Sequence, residues 1–202
     1  MDNEIIIASG NKGKLGEIRE ILVGFPYTLT SLSDYWNPIP EIPEEGATFY
    51  ENAASKAQWV FSRTGKMSLA DDSGLEVDCL GGEPGVRSAR FAGEPMSNQK
   101  NIDKLLSLLS GCPREKRQAN FRCVVVLKID ADQEIVAEGV CKGQIGLLPR
   151  GTSGFGYDPV FYPEGFDRTF GELDASIKNH ISHRGKAIND LKGKLHEFLI
   201  PR

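Results

Sequence analysis

The sequence of 202 residues has no long apolar run and no stretch that resembles a targeting signal. A transmembrane helix needs about 20 consecutive, mostly apolar residues, and the first apolar run, at residues 5–8, is far shorter. A secretory signal peptide begins with basic residues, whereas Asp2 and Glu4 are acidic. We therefore predict a cytoplasmic protein with no membrane partner.

Cysteine is scarce, and its spacing carries no metal or redox motif. The four cysteines are Cys79, Cys112, Cys123 and Cys141, separated by 33, 11 and 18 residues. Structural zinc sites and CxxC redox motifs need cysteines only a few residues apart. We expect reduced, partly buried thiols, and a chain of this length needs no disulfide or metal to hold it together.

A surplus of positive charge is also missing. Lys and Arg number 24 against 28 for Asp and Glu, which gives a net charge of −4. That balance argues against a surface built to bind DNA or RNA, so we predict no nucleic-acid partner, although a local basic pocket is compatible with it. With 40% hydrophobic and 26% charged residues, the composition is that of a globular protein and excludes collagen, a coiled-coil rod and a disordered chain.

The order of predicted elements indicates an α/β protein. The predicted strands are 4–8, 28–32, 67–70, 75–80, 120–129, 134–142 and 158–162. The predicted helices follow residue 14, cover 48–63 and 97–109, and begin again near residue 182. Alternating strands and helices with one antiparallel hairpin predict a mixed sheet flanked by helices.

The loop after the first predicted strand is rich in glycine and lysine. Its sequence is Ser9-Gly10-Asn11-Lys12-Gly13-Lys14. Glycines let the backbone approach an anion, and the N-terminus of the following helix presents free N–H groups. The segment matches neither the Walker A loop nor the GxGxxG fingerprint. By itself, therefore, it is either a phosphate-binding loop or an ordinary glycine turn with a solvated lysine.

Two adjacent carboxylates occur in the segment Asp71-Asp72-Ser73-Gly74. Side chains alternate along a strand, so both aspartates reach one site only where the strand breaks, and we expect Ser73-Gly74 to break it. Carboxylate oxygens suit Mg²⁺, and one aspartate could hold the metal while the other polarises water. A turn with two solvated acids is the alternative.

Two further segments carry aromatic and basic residues. Residues 154–159 read Gly-Phe-Gly-Tyr-Asp-Pro, and a ring in such a loop can stack on a nucleobase, although a core aromatic under a loop is the alternative. In residues 178–186, five of nine side chains are Lys, Arg or His. This segment is either a solvated helix start or a positive pocket that contacts an anion or a base edge. Together, the four segments predict a nucleoside triphosphate site.

These segments and a further one around Glu44 form a set of motifs in a fixed order. The motifs are Ser9-Gly10-Asn11-x-x-Lys14, Pro43-Glu44-x-Gly46-x-Thr48-Phe49-x-Glu51-Asn52-Ala53, Ala70-Asp71-Asp72-Ser73-Gly74-Leu75, Gly154-Phe155-Gly156-Tyr157-Asp158-Pro159 and Ser182-His183-Arg184-Gly185. The set resembles the inosine triphosphate pyrophosphatase family, also called XTP/dITP diphosphatases. The resemblance implies one α/β domain over residues 1–202, with a long mixed sheet, two lobes and a central cleft.

The activity implied by the resemblance is hydrolysis of the α–β phosphoanhydride bond of ITP, dITP and XTP, which yields a nucleoside monophosphate and pyrophosphate. The implied cofactor is Mg²⁺, and the implied assembly is a homodimer. Phosphoryl transfer needs mainly positioning and charge stabilisation. The sequence has no compact Cys–His or Ser–His motif that would indicate a covalent nucleophile.

The resemblance also implies roles for individual residues. Phosphate contacts are implied for Ser9, Gly10, Asn11, Lys12, Gly13, Lys14 and Lys56. Mg²⁺ ligands are implied at Glu44, Asp71 and Asp72, with Asp72 also the general base. Contacts with the base and the rest of the substrate are implied for Ser73, Phe155, Gly156, Tyr157, Asp158, Lys178, His183 and Arg184. His180 departs from the family pattern, which has a small residue there.

Two other functions are compatible with the same motifs. One is a related pyrophosphatase that acts on pyrimidine or modified nucleotides. The other is a nucleotide-sensing or RNA-binding module without catalysis. The cluster of Glu44, Asp71 and Asp72 argues against the second, because it would repel a polyanion unless a metal were bound.

Overall fold

The computed structural model describes residues 3–199, which form six strands and five helices. The strands are β1 (Glu4–Ile7), β2 (Thr28–Ser31), β3 (Met67–Val77), β4 (Gln118–Lys128), β5 (Glu134–Ile145) and β6 (Phe161–Pro163). The helices are α1 (Lys12–Ile21), α2 (Phe49–Thr64), α3 (Asn98–Leu108), α4 (Ala175–Ile181) and α5 (His183–Leu199). Over the described residues, none of these helices is long and apolar enough to cross a membrane.

The six strands form one sheet in the order β2-β1-β3-β4-β5-β6. Strand β1 pairs in parallel with both β2 and β3, whereas β5 and β6 are antiparallel. Residues 129–133 alone connect β4 to β5, and a connection this short joins antiparallel neighbours. The predicted α/β class with a mixed sheet is confirmed.

The described chain divides into two compact units, with three boundaries inside the long strands β3, β4 and β5 and one at the start of α5. The first unit comprises Met1–Asp72, Cys123–Gly139 and Arg184–Arg202, and the second comprises Ser73–Arg122 and Val140–His183. Each unit has a hydrophobic core of its own. In the first, side chains of β1, β3 and β4 pack against α1 and α5. In the second, side chains from the end of β3, from α3 and from β6 pack together.

Helix α2 illustrates how local sequence determines an element. The side chain of Thr48 accepts a hydrogen bond from the Glu51 N–H at 3.1 Å, which caps the helix N-terminus. Glu51 in turn accepts a hydrogen bond from the Ala47 N–H, one residue before the N-cap. Gly65 ends the helix in the left-handed conformation that glycine adopts without strain. The helix has an apolar stripe that is buried: Phe49, Ala53, Ala57 and Val60.

Three predicted boundaries differ from the structure. Strand β3 continues through residues 73 and 74, where the sequence predicts a break. Strand β5 extends to Ile145, beyond the predicted end at residue 142, and residues 158–160 form a 3₁₀ turn before β6 rather than extended chain. In β3 and β5, neighbouring strands supply partners for the backbone, so weak local propensity does not end the strand.

Candidate active site

The loop predicted to bind phosphate is shorter than the sequence suggests. Residues 8–11 connect β1 to α1, which begins at Lys12, so the last three residues of the predicted turn are helical. The side-chain oxygen of Asn11 accepts a hydrogen bond from the Lys14 N–H at 3.1 Å and caps the helix. No acidic side chain lies in the first turn, so the positive end of the helix dipole is not neutralised there. The segment has the properties of an anion-binding site.

The carboxylate of Asp71, in β3, is held by two cations. Lys14 Nζ lies 3.1 Å from Asp71 Oδ2. Arg184 donates to the same oxygen from Nη2 at 3.0 Å and from Nε at 3.2 Å, and its Nη1 donates to Glu17. Asp71 and Arg184 are 2% and 1% exposed, so this chain of ion pairs is shielded from water. Burial raises the pKa of Asp71, but Lys14 and Arg184 outweigh burial and lower it far below its ordinary value.

The carboxylate of Asp72 has a different environment. Asn52 Nδ2 donates a hydrogen bond to Asp72 Oδ2 at 2.9 Å, and Lys56 Nζ lies 3.8 Å from Oδ1. Burial raises the pKa of Asp72 and outweighs the opposing effects of Lys56, Lys14 and Asn52. The pKa of Asp72 therefore lies above that of an ordinary aspartate, whereas the pKa of Asp71 lies below it.

The continuous course of β3 explains why the two aspartates differ. Successive side chains of a strand point to opposite faces, and the two carboxylates have different hydrogen-bond donors: Arg184 donates to Asp71, whereas Asn52 donates to Asp72. The predicted break at residues 73–74 is therefore wrong, because β3 is continuous there. Asp71 forms ion pairs with Lys14 at 3.1 Å and Arg184 at 3.0 Å, whereas the ion pair of Asp72 with Lys56 is longer, at 3.8 Å.

Lys56 joins Asp72 to the loop that carries Glu44. Its Nζ donates to Glu44 Oε1 at 2.5 Å and to the backbone oxygen of Asp71 at 2.7 Å. Burial lowers the pKa of Lys56, but Asp72 and Glu44 outweigh burial and raise it. For Glu44 the directions are reversed: burial raises its pKa, but the positive charge of Lys56 outweighs burial and lowers it. At neutral pH the lysine is therefore protonated and Glu44 is ionised.

Asn52 is a second link between this loop and Asp72. Its Oδ1 accepts a hydrogen bond from the Gly46 N–H at 2.8 Å, while its Nδ2 donates to Asp72. A Cβ at Gly46 would lie 2.7 Å from Glu51 Cβ and 2.8 Å from Asn52 Oδ1, so the close approach needs glycine. Asn52 is only 1% exposed. Asn52 belongs to one of the sequence motifs, but no role in the site was predicted for it. The signal that could have identified it is a polar amide next to Ala53, which belongs to the buried stripe of α2.

The donor set of the first unit fits a hard divalent cation. Within residues 3–199, no group of three or more His, Cys, Asp or Glu side chains is arranged around one point as metal ligands. Mg²⁺, however, usually takes one or two carboxylates and completes its shell with water and phosphate oxygens. Glu44 and Asp72 are the pair that fits, because both lie within ion-pair distance of Lys56 Nζ, which shows that a cation is stable between them. Asp71 is instead committed to Lys14 and Arg184.

The second unit contains a separate buried ion pair. Lys178 Nζ donates to Asp158 Oδ2 at 2.5 Å, and the same oxygen accepts a hydrogen bond from the Phe155 N–H at 2.7 Å. Lys178 also lies 5.0 Å from the centre of the half-buried Phe155 ring, within cation–π range. A Cβ at Gly154 would lie 2.0 Å from Asp158 Oδ2. This loop is thus folded tightly onto the carboxylate, with one aromatic ring at its surface.

Two of the residues predicted to contact the base are part of the core. The Tyr157 ring is 4% exposed, and its hydroxyl donates to the Ser88 backbone oxygen at 2.9 Å. His183 is 5% exposed and stacks on Phe121, with ring centres 4.6 Å apart and an angle of 10° between the planes. Of the two rings in this loop, the one available for stacking is therefore Phe155, whereas the Tyr157 ring serves the core.

The basic segment 178–186 is not a single positive pocket. Lys178, His183 and Arg184 are buried, while His180 and Lys186 are exposed. The buried lysine and arginine are each paired with carboxylates, and the boundary between the two units falls between His183 and Arg184. Arg184 accordingly orients Asp71 and Glu17, a role for which the sequence offered no signal beyond its charge.

Comparison with known proteins extends over nearly the whole chain. The model of the Ham1 family matches residues 5–194. A dITP/XTP pyrophosphatase of Shouchella clausii is 48% identical over 94% of this chain and 95% of its own length. One from Geobacter sulfurreducens is also 48% identical, over 95% of this chain and 96% of its own.

Solved structures give the same result for the fold. The Ham1 protein of Staphylococcus aureus superimposes with a TM-score of 0.85 and 41% identity, over 96% of this chain and 99% of that one. A HAM1 protein from Coxiella burnetii gives a TM-score of 0.86 and 40% identity, over 96% and 98%. The family predicted from the motifs is confirmed, and the chain belongs to the Ham1 family.

Proposed function

We propose that this protein hydrolyses the α–β phosphoanhydride bond of the non-standard purine nucleotides dITP, XTP and ITP. The products are the nucleoside monophosphate and pyrophosphate, and the reaction removes deaminated purines from the nucleotide pool. The observation that carries the proposal is the group formed by Glu44, Lys56, Asn52 and Asp72. It occurs in a chain 48% identical to proteins named dITP/XTP pyrophosphatase.

The first unit supplies the phosphate contacts in this proposal. The N-terminus of α1, with residues 9–14, offers backbone N–H groups and the positive end of a helix dipole. Lys14 and Lys56 add two positive charges next to the carboxylates. Glu44 and Asp72 would hold Mg²⁺, which when bound neutralises charge on the triphosphate. Asp71 keeps Lys14 and Arg184 in position.

Asp72 is the proposed general base for the attacking water. Burial raises the pKa of Asp72 in the metal-free protein, whereas bound Mg²⁺ would lower it, so the carboxylate would be ionised and able to accept a proton from water at neutral pH. Asn52 holds one oxygen of the carboxylate by a hydrogen bond, which restricts its rotation. No covalent intermediate is required, since positioning and charge stabilisation are the main demands of phosphoryl transfer.

The proposed contacts with the base are Phe155 and Lys178. The half-buried Phe155 ring is suited to stack on a purine. Lys178, which donates one hydrogen to Asp158, has further N–H donors suited to a 6-keto oxygen. The 6-amino group of adenine is itself a donor and cannot accept them, so adenine would lose this interaction, and a loss of that kind discriminates between substrates. A homodimeric state and a cytoplasmic location remain predictions from the sequence.

The test is product analysis with Mg²⁺ and, separately, ITP, XTP, dITP, GTP, ATP and dUTP. We expect pyrophosphate and monophosphate from the first three nucleotides and little product from the others. Asp72→Asn is the matched control, because it preserves the shape of the side chain and removes its charge.

Other outcomes distinguish the alternatives. Orthophosphate as the product would place the attack at the γ-phosphate and contradict the proposed bond. Product from dUTP alone would indicate a pyrimidine nucleotide pyrophosphatase. Tight binding of ITP without product from any nucleotide would indicate a nucleotide-sensing module.

A further inference from the structure

Two cysteines that are far apart in sequence lie side by side in the second unit. Cys79 and Cys112 are 33 residues apart, and their Sγ atoms are separated by 2.6 Å. Both thiols are free, with Cys79 exposed and Cys112 half-buried. The spacing along the chain gave no reason to expect this pair, because the chain returns to Cys79 only through α3 and the turn that follows it.

The backbone around Cys112 is held in place by a buried arginine. Arg117, which is 4% exposed, donates from Nε to the Cys112 backbone oxygen at 2.9 Å and from Nη2 to the Leu109 oxygen at 2.6 Å. Its Nη1 donates to the Gly146 oxygen at 3.0 Å. The Cys112 N–H also donates to the Leu109 oxygen. These backbone bonds hold the turn after α3, and the Cys112 thiol adds a weaker contact with the Lys116 backbone oxygen at 3.4 Å.

The backbone around Cys79 is a tight turn of its own. Residues Asp78–Leu80 form one 3₁₀ turn, which ends at Gly81 with a φ of +64°. The Gly81 N–H donates to the Asp78 oxygen, and the Gly82 N–H donates to the Val77 oxygen. Because both turns are hydrogen-bonded independently of the thiols, the two sulfur atoms are presented to each other by the fold.

The other two cysteines differ from this pair in being buried. Cys123 is fully buried, and burial raises the pKa of its thiol to about 12. Cys141 is 3% exposed. A thiol reacts as the thiolate and only where a reagent reaches it, so these two cysteines serve as an internal reference against which the exposed pair is measured.

We infer that Cys79 and Cys112 are a modification site, a dithiol that a small disulfide such as oxidised glutathione converts into an intramolecular disulfide. The Cys79 thiolate attacks the glutathione disulfide, which forms a mixed disulfide and releases one glutathione thiolate. The Cys112 thiolate then attacks Cys79 Sγ, which forms the internal bond and releases the second. The two protein thiols lose two electrons and two protons, and two molecules of reduced glutathione carry them away.

The bond ties the turn after β3 to the turn after α3 without rearranging the second unit. A disulfide that native geometry already accommodates stabilises chiefly by restricting the unfolded chain. We therefore expect the oxidised protein to melt at a temperature higher than the reduced protein by about 4 °C or more. The inference concerns neither the carboxylates nor the phosphate loop, so it is independent of the proposed function.

The experiment uses the full chain, reduced, freed of reductant and incubated with oxidised glutathione at mildly alkaline pH. The mixture is then denatured, the remaining thiols are alkylated, and the protein is examined by intact mass and by peptide mapping without reductant. We expect two alkylated cysteines, Cys123 and Cys141, a peptide linked through Cys79 and Cys112, and no bound glutathione. Thermal melts of the oxidised and reduced forms measure the stability gain.

Cys79→Ser and Cys112→Ser are the matched controls. In each variant the remaining cysteine of the pair should carry either glutathione or the alkyl group. Neither variant should form an internal link or gain in melting temperature. Four alkylated cysteines in the wild type would overturn the inference. So would glutathione that stays on Cys79 or Cys112 of the wild type, a link to another cysteine, or an oxidised form that melts no higher than the reduced one.

Discussion

Asp71 and Asp72 lie on opposite faces of β3, and the two faces differ in the charges that surround the carboxylate. On one, Asp71 is surrounded by Lys14 and Arg184, and these cations hold its pKa far below the ordinary value. On the other, Asp72 shares Lys56 with Glu44, and burial raises its pKa. Both aspartates are almost fully buried. Lys14 and Lys56 act on both carboxylates, so the difference between the two lies in Arg184, which donates two hydrogen bonds to Asp71.

This difference indicates a structural role for Asp71 and a chemical role for Asp72. A carboxylate that two cations neutralise is a poor base and a stable anchor, whereas one with a raised pKa accepts a proton more readily. Two neighbouring residues can thus divide the work between them because a strand directs their side chains to opposite faces. The following predictions test that division, from the largest expected effect to the smallest.

The first prediction concerns turnover. Asp72→Asn should reduce the rate of pyrophosphate release from ITP by about 10²- to 10⁴-fold, the usual contribution of a general base. Circular dichroism should show a folded protein, because the amide can keep the hydrogen bond that Asn52 provides. Turnover within a few-fold of the wild type would show that Asp72 is not the base and would contradict the proposed difference between the two aspartates.

The second prediction concerns stability and uses the same substitution one residue earlier. Asp71→Asn leaves Lys14 and Arg184 without their shared carboxylate, and breaking a buried ion pair costs about 3–5 kcal/mol. Denaturant unfolding at neutral pH measures the loss.

The matched measurement on Asp72→Asn sharpens this prediction. The raised pKa of Asp72 means that the folded state binds its proton more tightly than the unfolded state, so stability falls as the pH rises through that pKa. An asparagine has no charge to bury, and we expect equal or higher stability than the wild type. Similar losses for the two variants would contradict the assigned difference between the faces.

The third prediction concerns Asn52, which holds Asp72 and the Gly46 N–H together. Asn52→Ala leaves buried polar groups without this partner, at a cost of about 1–3 kcal/mol in unfolding free energy. If Asn52 positions Asp72, kcat should fall by more than KM rises. Asn52→Asp, which cannot donate to an ionised carboxylate, should not restore kcat, whereas Asn52→Gln should restore part of it. A change in stability with unaltered kcat would leave Asn52 a purely structural residue.

The smallest effect is expected at Glu4, a carboxylate of the same unit away from the site. Hydrogen bonds from Lys66 and Tyr35 lower its pKa from 4.5 to about 2. The unfolded chain therefore takes up the proton first as the pH falls, and the contribution of Glu4 to stability is full above pH 4.5 and lost toward pH 2. Glu4→Gln should lower stability by about 1 kcal/mol at pH 7 and by less at pH 3. Equal losses at both values would show that the pairing is not electrostatic.

The amino-acid sequence alone determined the class and the family of this protein. Apolar periodicity predicted most of the strands and helices, because a buried face must repeat with the period of its element. The capped helix at residues 48–63 is an example, since Thr48 and the stripe from Phe49 to Val60 act locally. The five motifs predicted the family, because a motif is recognised from its residue types and their order along the chain, without knowledge of the fold.

Only the tertiary structure decided which charges meet. Glu17, Asp71 and Arg184 are brought together from α1, β3 and α5. Asp71 and Arg184 are 113 positions apart in the sequence, so no local pattern reveals that pairing. The same applies to Cys79 and Cys112. The continuous course of β3 is a further case, because hydrogen bonds from neighbouring strands overrode the weak propensity of Ser73-Gly74. Local propensity acts over a few residues, whereas the pKa of a buried carboxylate depends on every charge that the fold places around it.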